Sequence, residues 1–255
     1  MTHVNQRVLI TAAANGIGLA TAQAFAAAGA SVFICDVDGT QLAETLMREP
    51  GLAGMPCDVG DEDQVSAFFE AGVKHLKGLD VLINCAGIGG PTALVEELTL
   101  QQWRHCLSVN LDGTFLCARQ AAPILRRQRS GSIINFSSTA GLFGYARRSP
   151  YASAKWAVRG LTRSLAKELG PHGVRVNCIC PGAVTGDRMD RVIAAQAAKE
   201  NLSIDEVRAQ IVDCSSLKTF IAPQDIASMA LFLTSPAGAR ISGQDLVVDG
   251  YTETA

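Results

Sequence analysis

Short apolar runs alternate with longer amphipathic stretches along most of the chain, and this alternation limits the fold more than any other feature. Strand-like runs lie at residues 7–10, 30–35, 53–57 and 79–83, and helical spacing of apolar residues follows them. Repeated β-α units form a parallel sheet with right-handed crossovers and a cleft at the carboxyl ends of the strands. Further strands are predicted at 131–138, 174–180 and 244–249. The prediction is an α/β fold, a three-layer doubly wound parallel sheet of about seven strands, in a single domain over residues 1–255.

Two parts of the chain depart from this alternation. Residues 99–128 form one long helical stretch, with breaks expected near Gly113 and Pro123. Residues 186–217 carry two short apolar stripes at helical spacing, and the capping-box pair Ser203 and Glu206 precedes the second. Two helices after the carboxyl end of a strand can cover a cleft, so we predict a small substrate lid at about 186–217. Another helix is predicted at 223–234.

The first strand meets a turn with Gly16 and Gly18 that opens a helix. Such a turn points backbone N–H groups and the positive end of the helix dipole at a phosphate, although a glycine turn can also be only a tight connection. Together with the β-α repeat, the turn favours a sheet of the Rossmann type. The residues predicted to contact a dinucleotide here are Asn15, Gly16, Ile17 and Gly18.

Carboxylates follow the second and third strands. Asp36 lies eighteen residues after Gly18, about where an acidic side chain bonds the adenosine ribose hydroxyls of a dinucleotide. It would repel a 2′-phosphate, and no arginine or lysine occurs in the glycine turn or immediately after Asp36, so NAD is predicted rather than NADP. Asp58, followed by Val59, either bonds the adenine amino group or caps the helix that begins near Glu62.

A tyrosine and a lysine four residues apart are the strongest candidates for chemistry. At the start of a helix, Tyr151 and Lys155 share one face, so the ammonium group can sit beside the phenol. A free tyrosine has a pKa of about 10, and a nearby cation lowers that pKa towards the working range of a base. Ser138, at the end of a predicted strand, could hold the substrate oxygen. By itself such a pair is more often a solvated surface pair, so the assignment depends on the rest of the chain.

Charge and composition exclude several other functions. The 22 basic and 24 acidic residues give a net charge of -2 with no long run of either sign, which leaves no footprint for a nucleic-acid or anionic-membrane partner. No apolar stretch of about 20 residues occurs and the amino terminus is polar, so we expect no signal peptide, no membrane span and a cytoplasmic location. The eight cysteines lie mostly in apolar runs without a C-x-x-C pair, and no histidine has metal-ligand spacing. This predicts free core thiols and no metal site.

Taken in order, these motifs resemble the short-chain dehydrogenase/reductase family over essentially the whole chain. No single motif is specific, but unrelated chains should not place every one at the right strand end. The resemblance rests on residues 11–18, Asp58, Val59, residues 84–87, Asn110, Ser138, Tyr151, Lys155, Pro181 and Gly182. It implies a nicotinamide-dependent oxidoreductase that acts on a small-molecule alcohol or ketone and is commonly a homotetramer.

The resemblance also implies a role for each site residue. Tyr151 would be the acid/base for the substrate oxygen, and Lys155 would bond the nicotinamide ribose and help lower the pKa of the tyrosine. Ser138 would orient the substrate oxygen, and Asn110 would hold a water that links the lysine to solvent. Tyr151 and Lys155 would also contact the cofactor, and the further cofactor contacts would come from Asn84, Ala86, Gly87, Pro181, Gly182, Val184 and Thr185.

Two positions depart from the family's pattern. Ala12 stands where the first glycine of the turn is usual, which adds a methyl group to a tight turn. Gly186 stands five residues after Pro181, where the family often has a threonine that touches the nicotinamide amide, and Thr185 precedes it. Residues 187 and 188, which follow, could therefore belong to substrate recognition.

The leading interpretation is an NAD-dependent enzyme that interconverts a secondary alcohol, such as a sugar, polyol or hydroxy acid, and its ketone. A 3-oxoacyl thioester reductase is the first alternative, but relatives with that role commonly use NADP, against which Asp36 argues. A regulatory NAD-binding protein without turnover is the second, and it would be expected to lack one of the four catalytic residues. The intact serine and the Tyr-x-x-x-Lys spacing disfavour an enoyl reductase. Arg147, Arg148 and Arg188 would suit an anionic substrate group, although loop arginines are more often solvated.

Overall fold

A computed structural model describes residues 3–252 of the chain. Seven strands form its sheet: β1 Arg7–Thr11, β2 Ser31–Asp36, β3 Leu52–Pro56, β4 Val81–Asn84, β5 Gly131–Phe136, β6 Val174–Pro181 and β7 Asp245–Val248. The strand order is β3-β2-β1-β4-β5-β6-β7 and every pairing is parallel. The predicted doubly wound α/β fold is confirmed.

Nine α-helices accompany the sheet in the described part of the chain: α1 Gly16–Ala27, α2 Gly39–Arg48, α3 Glu62–Leu76, α4 Leu100–Leu107, α5 Gly113–Gln128, α6 Ser149–Leu169, α7 Asp187–Glu200, α8 Ile204–Asp213 and α9 Pro223–Thr234. Val8 and Ile10 of β1 pack in one core cluster with residues of α1, α2 and α9. Leu9 packs in the cluster on the opposite face, with residues of α3 and α5. Because side chains of a strand alternate between faces and both faces are covered, β1 is a continuous apolar run.

The strand order reverses next to β1, and this reversal positions the site. The chain moves outward from β1 to β2 and β3, and then returns to β4 on the other side of β1. The loops after β1 and β4 therefore leave towards opposite faces and part at the carboxyl end of the sheet, which is where doubly wound sheets bind ligands.

The long helical stretch is broken once. The break expected near Gly113 is confirmed, because α4 ends at Leu107 and a π-helical turn, Ser108–Asp112, leads into α5. The break expected at Pro123 is wrong, since this proline lies inside α5. Proline removes one backbone hydrogen bond, but Ala121 and Leu125 on either side of it are buried in the core. Tertiary burial therefore outweighs the local loss.

Smaller differences affect strand and helix ends. β3 lies one residue earlier than predicted, and β5 ends at Phe136, so Ser138 lies in the loop beyond it. α6 begins at Ser149, which places Tyr151 in its first turn rather than at its first residue. Pro150 is tolerated there, because the first-turn N–H groups of a helix have no intrahelical partner in any case.

The predicted lid consists of α7 and α8. Its two helices pack through a small cluster of their own, built on Ile193, Ala197 and Val207. The Ser203 and Glu206 capping box is present: the Glu206 N–H donates to Ser203 Oγ (3.2 Å) and the Ser203 N–H donates to Glu206 Oε2 (2.8 Å). Among the helices between residues 3 and 252, none is long and apolar enough to cross a membrane.

Candidate active site

A cleft of about 2470 Å³ opens at the carboxyl end of the sheet, and residues of α7 and α8 line part of it. Ordinary small-molecule pockets have volumes of about 300–1,000 Å³, so this cleft has room for a dinucleotide and a substrate together. Sixteen of the eighteen predicted site residues line it: Asn15, Gly16, Ile17, Gly18, Asp36, Asp58, Val59, Ala86, Gly87, Ser138, Tyr151, Lys155, Pro181, Gly182, Val184 and Thr185. The other two, Asn84 and Asn110, lie behind the wall.

The glycine turn leaves the first turn of α1 open to the cleft. Asn15 is the N-cap residue of α1, but its side chain makes no capping hydrogen bond and no acidic residue lies in the first turn. Gly16 has a φ of 54°, and a Cβ at this position would meet no atom within 4 Å. A Cβ on Gly18 would lie 2.1 Å from the carbonyl oxygen of Ala12. The turn therefore forms an open cradle of free N–H groups at the positive end of a helix, which fits the pyrophosphate of a dinucleotide.

Ala12 lies in the left-handed region with a φ of 51°, which costs an L-residue about 1–2 kcal/mol. Ala12→Gly is therefore expected to raise the free energy of unfolding by about 0.5–1 kcal/mol, after the greater freedom of glycine in the unfolded chain is subtracted. Urea unfolding measures this. Ala13→Gly is the control: Ala13 is fully buried and not among the positive-φ residues, so this substitution should destabilise. Equal destabilisation by both variants would contradict strain at Ala12.

One end of the cleft is acidic, and Asp36 is held there rigidly. Its Oδ2 accepts a hydrogen bond from the Ala14 N–H (3.0 Å) and its Oδ1 accepts one from the Asp38 N–H (3.1 Å). The carboxylate is nearly buried yet lines the cleft. Asp38 and Gln41 line the same end, and no basic side chain does so among the lining residues contributed by the loops after β1, β2 and β3.

Asp58 lines the cleft and does not cap α3. Asp61 is the N-cap residue of α3, where its Oδ1 accepts hydrogen bonds from the Asp63 and Gln64 N–H groups (3.0 Å each). Asp58 Oδ1 accepts from the Gly60 N–H (2.9 Å), and Asp58 lines the cleft. Of the two alternatives left by the sequence, the helix cap is excluded.

Tyr151 and Lys155 meet on one face of α6, as their spacing predicts. Lys155 is buried, and its Nζ donates to the Phe136 carbonyl at the end of β5 (2.9 Å). The same Nζ lies 5.7 Å from the centre of the Tyr151 ring. The Ser138 Oγ accepts a hydrogen bond from the Ala140 N–H (3.2 Å), which holds this side chain towards the cleft. The end of β5 and the start of α6 thus bring an ammonium group, a phenol and a hydroxyl together.

The pKa of the Tyr151 phenol is lowered from its ordinary value. Burial by itself would raise this pKa, but the nearby charges of Lys155 and Arg188, a hydrogen bond with Ser138 and the charge of Arg148 together outweigh burial. The pKa of Lys155 is also lowered, chiefly because burial disfavours its charged form. A phenol with a lowered pKa gives up its proton at a lower pH than a free tyrosine, which is what a general acid/base needs.

Asn110 lies in the π-helical turn and is completely buried. Its Nδ2 donates to the carbonyl oxygens of Cys106 (2.8 Å) and Ile88 (2.9 Å), and its Oδ1 accepts no hydrogen bond from residues 3–252. The position of a Cβ on Gly87 would be 2.7 Å from Asn110 Oδ1 and 3.1 Å from Lys155 Nζ. The free amide oxygen and the ammonium group therefore approach one another around Gly87, where no side chain fits.

Asn84 does not occupy its predicted place. Its Nδ2 donates to Asn135 Oδ1 (2.9 Å) inside the sheet, and its side chain is buried away from the cleft. The Asn84 side chain therefore does not reach the cleft, because successive residues of a strand point to opposite faces, and its cofactor contact stays a prediction. Cys85, the next residue, lines the cleft instead. The alternation of side chains along a strand was the signal that could have identified Cys85 as a residue of the cleft.

Two of the three arginines singled out in the sequence line the cleft. Arg148 and Arg188 do so, and their guanidinium carbons lie 5.3 and 5.6 Å from the centre of the Tyr151 ring. Arg147 is exposed and does not line the cleft, so the idea that it faces the substrate is wrong. His105 and Tyr145 also line the cleft and were missed, because no local motif marks either residue.

Seven of the eight cysteines are buried or half-buried, as expected of core thiols, and Cys214 is exposed. Within residues 3–252, one group has ligand atoms close enough for a metal ion, namely Cys178, Cys180 and Asp245. Its carboxylate is already engaged, since Asp245 Oδ2 accepts hydrogen bonds from Arg159 Nε (2.9 Å) and from Arg163. This group lies on the α6 side of β6 and not in the cleft.

Comparison with known proteins gives consistent matches along the chain. The family model described as enoyl-(acyl carrier protein) reductase matches residues 11–252. The short-chain reductase protein NovJ of Streptomyces niveus is 38% identical over 95% of this chain and 92% of its own length. The cis-4-hydroxycyclohexanecarboxylate dehydrogenase of Sinomonas cyclohexanicum is 35% identical over 96% of this chain and 95% of its own. The crystal structure of levodione reductase superimposes with a TM-score of 0.91 at 32% identity and covers 97% of both chains.

Proposed function

The chain belongs to the short-chain dehydrogenase/reductase family, whose members interconvert CH–OH and keto groups with a nicotinamide cofactor. We therefore propose that this protein oxidises a secondary alcohol with NAD, or reduces the corresponding ketone. The observation that carries the proposal is the position of Tyr151: its ring lies 5.7 Å from the buried Lys155 ammonium group, beside Ser138, in a cleft that fits a dinucleotide. All four residues of the catalytic set are present, which argues against a binding protein without turnover.

Tyr151 is the acid/base of the proposed reaction. In oxidation its phenolate oxygen takes the proton of the substrate hydroxyl, and in reduction its phenol returns a proton to the carbonyl oxygen. When bound, the nicotinamide ring supplies the hydride acceptor or donor for the neighbouring carbon. Ser138 holds the same substrate oxygen through its hydroxyl, so that the proton moves along a prepared hydrogen bond.

Lys155 and Asn110 support the tyrosine. The Lys155 ammonium group favours the phenolate through its charge and has donors left for a ribose hydroxyl, since the Phe136 carbonyl takes only one. Asn110 Oδ1 is a buried acceptor near that ammonium group, and buried acceptors of this kind are usually satisfied by an ordered water. Such a water would relay protons between Lys155 and solvent.

The cofactor would lie along the cleft from the acidic end to Tyr151. The backbone of Asn15, Gly16, Ile17 and Gly18 would hold its pyrophosphate at the amino end of α1. Asp36 would accept hydrogen bonds from the adenosine ribose hydroxyls, and Asp58 with Val59 would contact the adenine. The nicotinamide end would meet Ala86, Gly87, Pro181, Gly182, Val184 and Thr185. The acidic surroundings of Asp36 support NAD over NADP, because a 2′-phosphate there would face carboxylates without a cation.

The pH dependence follows from the lowered pKa of Tyr151. Alcohol oxidation is expected to slow as the pH falls through this pKa, since the phenolate is the proton acceptor, with a midpoint below the ordinary value of about 10. Ketone reduction is expected to slow as the pH rises through it. Arg188→Gln removes a nearby positive charge, so the midpoint should move upward. Lys199→Gln, in the last turn of α7 and outside the cleft, is the control and should leave the midpoint unchanged; a midpoint unmoved in both variants would contradict the influence of Arg188.

The substrate class is proposed from the cleft and from the relatives together. The names of two similar proteins refer to a hydroxycyclohexanecarboxylate and to levodione, which supports a cyclic secondary alcohol or its ketone as the first probe. A homotetramer and a cytoplasmic location remain predictions, and light scattering coupled to size exclusion would test the first of them.

One experiment tests the proposed function. The purified protein is assayed with NAD and with NADP against sugars, polyols, hydroxy acids, cyclic alcohols and a 3-oxoacyl thioester, and the absorbance of the reduced cofactor is followed. Turnover of a secondary alcohol with NAD preferred is the expected result. Preferred reduction of the thioester with NADPH would favour the alternative, and no turnover in either direction would overturn the proposal.

A further inference from the structure

Two arginines from different elements converge beside Tyr151. Arg148 immediately precedes α6, and Arg188 lies in the first turn of α7 in the lid. Besides their similar distances to the Tyr151 ring, their Nη2 atoms lie 2.7 and 3.7 Å from one point, the position that a Cβ on Gly89 would take. The two guanidinium groups therefore share one small region at the tyrosine end of the cleft.

No carboxylate neutralises this pair within residues 3–252. Arg148 Nε and Nη2 donate to the Gly89 carbonyl oxygen (3.1 and 2.7 Å), and Arg188 Nη1 donates to that of Gly87 (3.4 Å). These acceptors are neutral, and neither arginine forms an ion pair there. Like charges held together repel, so the pair is costly unless an anion lies between them.

Another convergent arginine pair in the same chain shows the contrast. Arg159 and Arg163 also approach one another, and the carboxylate of Asp245 lies between them and pairs with both. The fold thus supplies an internal anion to the pair on α6. Among residues 3–252 it supplies none to Arg148 and Arg188, which instead line the cleft with N–H groups left to donate.

Acidic side chains line the part of the cleft assigned to adenosine, where Asp36, Asp38 and Asp58 lie, whereas Arg148 and Arg188 lie beside Tyr151. Asp187, Asp213 and Asp249 also line the cleft, but none of them forms an ion pair with either arginine. Resting on the proposed function, we propose that the substrate carries an anionic oxyacid group, a carboxylate, sulfonate or phosphate, and that Arg148 and Arg188 bind it while its hydroxyl or carbonyl group faces Tyr151. Guanidinium groups bind such oxyanions through paired, charge-assisted hydrogen bonds.

Because one arginine belongs to the lid, the anion also connects two parts of the site. Arg148 is anchored twice to the loop after β4, and Arg188 is exposed on α7. An anion bound by both would hold the start of α7 against that loop and so help to close the cleft over the reacting carbon. Loss of either arginine should therefore affect KM for the anionic substrate more than kcat.

The test compares matched substrates in matched variants. Each secondary alcohol is supplied in its anionic form and as its uncharged ester or amide. The first pair is cis-4-hydroxycyclohexanecarboxylate and its methyl ester. A hydroxysulfonate and a phosphorylated polyol are tested as further anionic substrates. Arg148→Gln and Arg188→Gln are compared with Arg147→Gln and Lys199→Gln, which remove exposed charges that do not line the cleft. All rates are taken at the pH-independent plateau of each variant, so that a shifted pKa of Tyr151 does not enter.

We expect the wild type to prefer an anionic member by at least about 10-fold in kcat/KM. Each of the two variants should lose about 10- to 100-fold on that substrate, the range of a charge-assisted hydrogen bond, and less than about 3-fold on its neutral partner. Added salt should weaken only the anionic reaction. The two control variants should resemble the wild type.

Three outcomes would overturn the inference. In the first, neutral alcohols are turned over with the same kcat/KM as their anionic partners. This result would leave the proposed function intact. In the second, both variants lose activity equally on both substrates and bind NAD more weakly in a direct fluorescence titration, which would assign the arginines to the cofactor. In the third, no alcohol of either kind is turned over with either cofactor, and then the proposed function itself fails.

Discussion

Tyr151→Phe is expected to lower kcat for alcohol oxidation by about 10²- to 10⁴-fold, the usual contribution of a general acid/base, while the Kd for NAD stays within a few fold of wild type. Phenylalanine keeps the ring that packs beside Lys155 and loses only the oxygen that exchanges the proton. Steady-state kinetics gives the first quantity, and titration of the cofactor by protein fluorescence gives the second.

Tyr145→Phe is the matched control for this substitution. Tyr145 also lines the cleft, and the Arg148 guanidinium carbon lies 5.8 Å from its ring centre, but its side chain is exposed, whereas Tyr151 lies beside the buried Lys155. Removal of this second hydroxyl should change kcat by less than about 3-fold, because no proton transfer passes through it. A Tyr151→Phe enzyme that retains a tenth or more of the wild-type rate would remove Tyr151 from the role of acid/base.

Asp36→Ala is expected to reduce the preference for NAD over NADP by about 100-fold in kcat/KM. Two effects act in the same direction: NAD loses charge-assisted hydrogen bonds to its ribose hydroxyls, at about 1.5–3 kcal/mol, and the 2′-phosphate of NADP no longer meets this carboxylate. Parallel kinetics with the two cofactors measures the ratio. A thermal unfolding curve checks that the turn survives the loss of the hydrogen bond from the Ala14 N–H.

Asp38→Asn separates the specific contact from the general charge of this end of the cleft. Asp38 lines the same end and caps α2, because its Oδ1 accepts from the Gln41 N–H (2.9 Å). Asparagine also caps helices well, so this variant removes one negative charge and keeps the helix start. The cofactor preference should change much less than in Asp36→Ala. An equal change would show that the discrimination rests on the summed charge and not on Asp36.

Local patterns were sufficient for the sheet and for the position of the cleft. Val8, Leu9 and Ile10 form one continuous apolar run because β1 is covered on both faces, and such runs alternate with helices along the chain. Right-handed parallel crossovers then bring the carboxyl ends of all strands to one edge. Residues far apart in sequence, such as Asp36 and Ser138, are therefore predicted from the sequence alone to lie in one site.

Local spacing was also sufficient for the pair on α6, since residues four apart on a helix always share a face. Local spacing was not sufficient where two nearby residues could fill the same structural role. Asp58 and Asp61 both stand before α3, and only the folded loop shows that Asp61 caps the helix while Asp58 faces the cleft. Pro123 breaks an isolated helix, yet α5 continues through it because the core covers that helix.

The sequence by itself determined the strands, the order of the motifs and the face shared by Tyr151 and Lys155, because hydrophobic periodicity and helix geometry act over a few residues. Only the tertiary structure decided that Asn84 points into the sheet, that Asn110 approaches Lys155 around Gly87, and that Arg148 and Arg188 meet at Gly89. These contacts join elements that are distant in sequence. Their geometry follows from how a lid, a loop and a helix pack together, which no local spacing encodes.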